Sequence, residues 1–308
     1  MGSELRLSAW TADDAVAQAA FDAVFAEFDR LESLLSVWRE GSDVRRLNAA
    51  AGERAVPVSA ETRDVLAAAR EISDWTGGKF DVTFGALTDI WKFDHDQDNR
   101  VPDRSEIAAR VPLIDYRAIV LDDPPGTAFI ARRGMRVHLG GIGKGYAVDR
   151  GIALVRSRGL TDFMIQSGGD LYVAGRKDGA PWRVGITDPR GQAGQVFATL
   201  DLSDGTLSTS GDYERFFMKD GRRYHHLLDP ATGEPARLCR SVSIVADSAT
   251  LADGLSTGVF ILGPADGMAL IERLEHVEGV IVTATNEVLI SSGLTGRLRI
   301  VAEPTNAP

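Results

Sequence analysis

From about residue 118 onward the chain is a run of short β-like segments that do not alternate regularly with helices. This order limits the fold more than any other feature. Residues 163–165, 182–186, 196–201, 224–228 and 241–245 read as strands, 128–137 as a hairpin, and 279–301 as three short antiparallel strands. Only a helix over 146–158 and another after residue 245 break the series. A regular βαβ alternation would build a parallel, doubly wound sheet, whereas strands in blocks with a few helices predict an α+β fold.

The first third is more helical. Residues 5–10 (LRLSAW) read as an opening strand, and Thr11 to Asp14 as a capping box before a long helix. Val16, Ala20, Val24, Phe28, Leu31 and Leu35 recur at helical spacing and predict one buried stripe. Ser36, Val37 and Trp38 close that helix, and the polar segment 39–48 reads as a loop. A second helix is predicted from an N-cap at Ser59 to the stop at Gly77 and Gly78, burying Val65, Leu66, Ala69 and Ile72. Residues 93–104 (FDHDQDNRVPDR) read as a solvated acidic loop. Its Asp94, Asp96 and Asp98 alternate like calcium ligands but lack the Gly and terminal Glu of a calcium loop.

Composition narrows the function classes. The 308 residues carry 34 Lys+Arg against 44 Asp+Glu, a net charge of −10, with 44% apolar residues. That profile is of a soluble globular chain, and one cysteine, Cys239, excludes an intrachain disulfide framework or a cysteine-based metal cluster. The acidic balance argues against a general nucleic-acid binder, although a local basic pocket can sit in an acidic protein. No window approaches the roughly 18 apolar residues of a membrane span. The opening Met1 to Arg6 has neither a signal-peptide pattern nor a myristoylation site. The chain is expected to be cytoplasmic as written, and periplasmic or cell-envelope if a leader or lipid anchor has been trimmed.

Four segments carry the polar chemistry. In Leu139 to Asp149 (LGGIGKGYAVD), glycines between an expected strand at 135–139 and a helix let backbone N–H groups approach an anion. The spacing matches neither a P-loop nor a dinucleotide fingerprint. A tight strand-to-helix connection explains the glycines equally, and Lys144 beside them favours an anion site. Gln166 to Asp170 (QSGGD) places two glycines and a carboxylate at a strand end, where a ligand or an ordinary turn would suit it. Ser208 to Arg215 (STSGDYER) and Tyr224 to Gly233 (YHHLLDPATG) form the third, in which His225 and His226 are adjacent in an expected strand, so only one can face a given pocket. Asp253 and Thr257 stand four apart on an expected helix, with both oxygens on one face and Gly254 and Gly258 beside them. This set suits a hard cation such as Mg²⁺ or, alternatively, a close helix crossing with a surface Asp.

Taken in register, these segments resemble the ApbE family of FAD:protein FMN transferases. Further matches are the Met1-Gly2-Ser3 opening, Ser36 to Trp38, Ser42 to Asn48, Gly78 to Thr83 (GKFDVT) and Trp182 to Pro189 (WRVGITDP), so the likeness runs to about Gly263. The resemblance implies a single catalytic domain over 1–308 of duplicated, T-fold-like α+β architecture, with mixed or antiparallel sheets, flanking helices and an FAD cleft between its halves. It implies Mg²⁺-dependent passage of FMN from FAD to a Thr or Ser hydroxyl in the flavinylation motif of an acceptor flavoprotein, with release of AMP. By the same resemblance Asp253, Thr257 and the Gly141 carbonyl hold Mg²⁺, Lys144 meets the pyrophosphate, and His226 is a base near the acceptor. Trp38, Asp81, Gly168, Gly169 and Asp170 line the flavin and adenosine regions.

The chain departs from the family pattern at four points: His138 for a usual Asp, Gly143 for Ala, Ser167 for Asn, and Trp38 for Tyr. Loss of an acid at 138 bears on a second-metal route to FAD hydrolysis more than on transfer. Residues 204–209 faintly resemble an acceptor sequence but read as strand and turn. Two other functions use the same site: an FAD pyrophosphatase that yields FMN and AMP, and a non-catalytic FAD-binding protein.

Overall fold

The computed structural model describes residues 3–307; Met1 and Gly2 of the opening motif lie outside the described residues. In chain order the first half contains β1 (Leu5–Ala9), α1 (Asp14–Leu35), α2 (Asp43–Ala49), β2 (Val56–Pro57), α3 (Ala60–Trp75), α4 (Arg104–Arg110), β3 (Ile119–Asp122), β4 (Thr127–Ile130) and α5 (Gly143–Ser157). Five strands and a hairpin follow: β5 (Phe163–Ser167), β6 (Asp170–Ala174), β7 (Trp182–Thr187), β8 (Val196–Leu202), β9 (Gly205–Gly211), then β10 (Phe216–Lys219) with β11 (Arg222–His225). The chain ends with β12 (Cys239–Ala246), α6 (Ala249–Leu262), α7 (Pro264–Arg273), β13 (Glu278–Thr283), β14 (Val288–Ile290) and β15 (Arg299–Ile300).

The fold is α+β. Its centre is a seven-stranded sheet in the order β1-β5-β6-β9-β12-β13-β14, antiparallel at every pairing. Both faces of its central strands are buried. Along β13, Ile281 joins the core under the helices while Val280 and Val282 join the core under β7 and β8, as the two-residue strand period requires. On the helical face α6 packs on β9 and β12, α5 packs on α6, and α1 and α3 close the outside. On the other face Trp182, Val184, Phe197 and Leu200 of the three-stranded sheet β15-β8-β7 cover Val173 and Leu207.

The stripe predicted on α1 is the observed one, with Ala20, Val24, Phe28, Leu31 and Leu35 buried. Its cap is Asp13, which accepts from the Val16 N–H; Thr11 instead accepts from the Asp13 N–H. Ser59 caps α3 as expected, its hydroxyl accepting from the Thr62 N–H. Segment 39–48 is not a loop: Ser42 caps α2, and Val44 and Leu47 bury one apolar side between polar neighbours. The hairpin lies earlier than 128–137, because β3 pairs with β4 across a turn at 123–126. The stretch before the glycine turn is extended without forming a strand, touching Phe84 through a single bridge at Arg136. In the tail, β14 pairs with β13 but β15 joins β8 in the other sheet.

Loop 93–103 is less solvated than its composition suggests. Phe93 is buried and stacks between Trp91 and Phe217, with ring centroids 5.7 Å apart on both sides. Phe217 in turn stacks on Tyr224, so a small aromatic core ties this loop to the β10–β11 hairpin. Cys239 is buried, and burial pushes its thiol up to about 12. Among the described residues no helix is long and apolar enough to cross a membrane.

Candidate active site

A cleft of about 500 Å³ opens where the N-terminus of α5, the middle of α6, the end of β9 and the segments 79–84 and 226–230 converge. Its floor is set by two helices that cap each other. Asp253, on α6, accepts from the Gly145 N–H at 2.9 Å in the first turn of α5. Asp149, on α5, accepts from the Ala249 and Thr250 N–H groups at 2.9 Å each at the start of α6. Carboxylates at helix N-termini satisfy donors that have no partner in their own helix. The two helices can approach this closely because Gly145 has no side chain; a Cβ there would stand 2.1 Å from the Ala249 carbonyl oxygen.

Lys144 lies at the centre of the floor. Its Nζ is 3.0 and 3.2 Å from the two Asp253 oxygens, 3.2 Å from Asp170 Oδ2 and 3.2 Å from the Gly140 carbonyl. Burial disfavours the ammonium, yet the two carboxylates outweigh it and raise its pKa. Asp170 is buried behind Lys144 and bonded to the Ser208 hydroxyl; burial, with Asp253 adding to it, pushes its carboxyl up. One ammonium between two buried carboxylates leaves negative charge uncompensated beside an open cleft. That surplus suits a divalent cation. Thr257 lines the cleft one turn beyond Asp253, and Gly141 packs so close that a Cβ on it would lie 3.4 Å from Thr257 Oγ1. Among the described residues no three His, Cys, Asp or Glu side chains converge as a metal cluster. A carboxylate, a hydroxyl and a backbone carbonyl fit Mg²⁺, which keeps few protein ligands and completes its shell with water and phosphate oxygens.

The cleft wall contains Trp38, Asp81, Gly141, Lys144, Gly168, Gly169, His226, Asp253 and Thr257; Asp170 stands behind it. His226 follows β11 directly and faces the cleft, while His225 turns away, with its Nε2–H donating to the Ala236 carbonyl at 2.8 Å. His226 Nδ1 lies 3.3 Å from the Arg215 carbonyl oxygen. A carbonyl only accepts, so Nδ1 carries the proton and Nε2 keeps its lone pair. Burial, and then the Arg215 and His225 charges, push His226 down to about 3 and keep it neutral. Asp81 is committed to the protein: Oδ1 accepts from the Thr83 N–H and hydroxyl and Oδ2 from the Tyr116 N–H, while burial raises its pKa. Trp38 stands 51% exposed at the mouth, edge-on to His95.

Gly254 and Gly258 face away from the cleft. A Cβ on them would meet Ile72 Cδ1 at 2.4 Å and Thr76 Cγ2 at 2.6 Å, so they admit α3. The close helix crossing read from the sequence is therefore present, but Asp253 is buried rather than at the surface, and it shares the opposite side of the turn with Thr257. His138 stands in the wall, accepting from the Gly140 N–H at 3.1 Å, and burial lowers it to about 4. At Gly143 an alanine would fit, its Cβ 3.9 Å from Leu139. Ser167 meets the Ser3 hydroxyl at 3.2 Å.

Several wall residues stand outside the site set expected from the sequence, although the segments that carry them were singled out there. Ser210 Oγ lies 3.1 Å from Thr257 Oγ1 and 2.8 Å from Ser256 Oγ, extending the hydroxyl face. Arg215 pairs with Asp94 at 2.8 Å, bringing the acidic loop to the cleft. Lys79 Nζ binds both Asp229 oxygens at 2.9 and 2.8 Å and joins two walls. The alternation of Ser208, Thr209 and Ser210 along one strand was the only available signal for the first of these.

A family model described as the ApbE family matches residues 1–281. The chain belongs to the ApbE family. A relative from Treponema pallidum, named FAD:protein FMN transferase, is 33% identical over 298 residues, covering 92% of this chain and 82% of the relative. One of the same name from Klebsiella pneumoniae is 31% identical, covering 95% and 90%. The crystal structure of an ApbE protein from Thermotoga maritima superposes with a TM-score of 0.89 at 33% identity, covering 97% of this chain and 96% of that one. The flavin transferase ApbE from Vibrio cholerae gives 0.86 at 26% identity, with 96% of each chain covered.

Proposed function

We propose that this chain is a transferase that moves the FMN half of FAD onto a Thr or Ser hydroxyl of an acceptor flavoprotein, releasing AMP, and that 1–308 acts as one catalytic domain. The observation that carries this reading is the half-buried Lys144 held between the buried Asp253 and Asp170, beside the Thr257 hydroxyl at the floor of the cleft. A pyrophosphate repels nucleophiles and a hydroxyl is a weak one, so the site must neutralise phosphate charge and accept a proton.

In the proposed reaction the acceptor oxygen attacks the FMN phosphorus. The bond from that phosphorus to the bridging oxygen breaks, AMP leaves with the electron pair, and a phosphoester joins FMN to the acceptor. His226 Nε2 takes the hydroxyl proton, and the Arg215 carbonyl holds the ring in the tautomer that leaves Nε2 open. The anionic pyrophosphate, once bound, offsets the burial that depresses this imidazole and makes it a better base. Lys144 meets the pyrophosphate from the glycine turn, and Gly168 and Gly169 allow close approach of the cofactor. Mg²⁺, held by Asp253, Thr257 and the Gly141 carbonyl, would supply the remaining positive charge.

Incubation with FAD, Mg²⁺ and Thr-containing acceptor proteins tests the reading by mass spectrometry. Covalent FMN on the acceptor, abolished by EDTA, is the expected result. FMN and AMP released without acceptor modification would make the protein a pyrophosphatase. Robust transfer in EDTA would remove the metal from the account.

A further inference from the structure

The transferase reading leaves open how a protein substrate delivers one hydroxyl into a cleft already occupied by FAD. The outer edge of β1 offers a route. Among the described residues only β5 lies beside β1, so one side of the strand is the margin of the central sheet. The register pairs Leu5 with Ser167 and Ala9 with Phe163. Just beyond the strand ends, the Trp10 N–H donates to the Asp162 carbonyl at 2.8 Å and the Gly168 N–H to the Glu4 carbonyl at 3.1 Å. Hydrogen-bonded positions alternate in an antiparallel ladder, so residues 4, 6, 8 and 10 turn their backbone groups toward β5. Leu5, Leu7 and Ala9 therefore turn theirs outward.

Free edges of this kind are normally blunted by shortness, proline, bulges or charge. The opposite margin of the sheet follows that rule, since β14 has three residues. β1 has five, without proline or bulge, and Arg6 is its only charge, partnered by Glu4 at 2.8 Å. Trp10, at the far end, is 51% exposed. At the near end the chain enters the cleft, where Ser3 and Glu4 line the wall beside Gly168 and Gly169.

Resting on the proposed transferase activity, we infer that the acceptor protein docks by β-augmentation: the extended segment bearing its hydroxyl adds to the outer edge of β1 and is led past Ser3 and Glu4 into the cleft. Main-chain pairing with Leu5, Leu7 and Ala9 supplies affinity that does not depend on side-chain identity, and the cleft selects the hydroxyl. An edge of five residues spans about 17 Å, enough to align one extended segment.

The test uses the full chain loaded with FAD and an acceptor domain that takes FMN in the transfer assay. Amide exchange followed by NMR should slow at Leu5, Leu7 and Ala9 when acceptor is added, with little change at Arg6 and Ser8, which already bond to β5. Leu7→Pro removes an outward donor and no bond to β5; it should raise the acceptor KM roughly tenfold while leaving FAD affinity unchanged. Transfer that proceeds without the alternating protection would overturn the inference and leave the transferase reading standing. Protection that appears without acceptor and grows with protein concentration would also overturn it, assigning the edge to a second copy of this chain. If no acceptor takes FMN at all, the transferase reading itself fails.

Discussion

The candidate site rests on a few side chains whose charges depend on one another. Lys144 is the one ammonium between Asp170 and Asp253, so Lys144→Met leaves two buried carboxylates facing each other. Transfer should fall by at least about 10²-fold, because charge stabilisation at a developing anion is lost. Stability should fall by about 3 kcal/mol, as expected when one partner of a buried pair is removed. Adding Asp170→Asn to that variant should recover part of the denaturant midpoint and none of the FMN incorporation. His226 makes a separate prediction. Its folded value is depressed to about 3 against 6.5 for an ordinary histidine, so between those values the unfolded chain binds a proton that the folded one does not. The contribution is complete above about pH 6.5 and is lost as pH falls toward about 3. Urea midpoints measured from about pH 7 down to about pH 4 should decline, and His226→Gln should flatten the decline while reducing transfer by roughly 10²–10⁴-fold.

Between elements, the decisive contact is the crossing of α5 and α6. Each helix supplies the carboxylate that caps the other, Asp253 for α5 and Asp149 for α6. Asp149→Ala should destabilise by about 2 kcal/mol, the upper end for a lost cap, and should disturb Lys144 although Asp149 lies outside the cleft wall. The glycines on the two sides of α6 are not equivalent, since Gly145 of α5 meets one side and Gly254 turns the other toward α3. Gly145→Ala drives a Cβ against the Ala249 backbone, 2.1 Å away, which cannot yield without separating the helices. Gly254→Ala meets only the Ile72 Cδ1 methyl, the far end of a flexible side chain. Chemical denaturation should therefore show Gly145→Ala losing several times more stability than Gly254→Ala, with loss of FAD binding confined to the first. Equal losses would mean that α5 and α6 can separate enough to relieve the 2.1 Å approach.

Across the whole molecule, the cleft draws its walls from segments far apart in the chain, from Trp38 to Thr257. FAD bound there should join these walls and stabilise the protein globally, by about 2.7 kcal/mol at one hundred times its dissociation constant. If Asp253 and Thr257 share a divalent cation with the pyrophosphate, the thermal shift produced by FAD should be clearly larger in Mg²⁺ than in EDTA. Asp253→Ala should reduce both shifts to similar size. The net charge of −10 is a property of the whole chain, whereas on the proposed function entry of a pyrophosphate would depend on the local charge around Lys144.

Local patterns carried much of this into the sequence. The stripe on α1, the Ser59 cap, the α+β class and the oxygen face of Asp253 and Thr257 all depend on spacing within a few residues, where helix and strand periods are set. The family motifs in register brought the rest of the candidate site into view. Misreadings arose where a short pattern was diluted or where the partner was distant. Val44 and Leu47 are too few to stand out among charges, so α2 looked like a loop. Phe93 inside an acidic run gave no hint that Trp91 and Phe217 would bury it. Which histidine of the pair faces the cleft, which glycines admit a helix and which line the cleft, and the meeting of Asp94 with Arg215 were settled by packing between remote segments. Spacing along the chain dictates which groups share a face; only the closed tertiary structure dictates what that face meets, because the partner's position is fixed by the burial of the whole core.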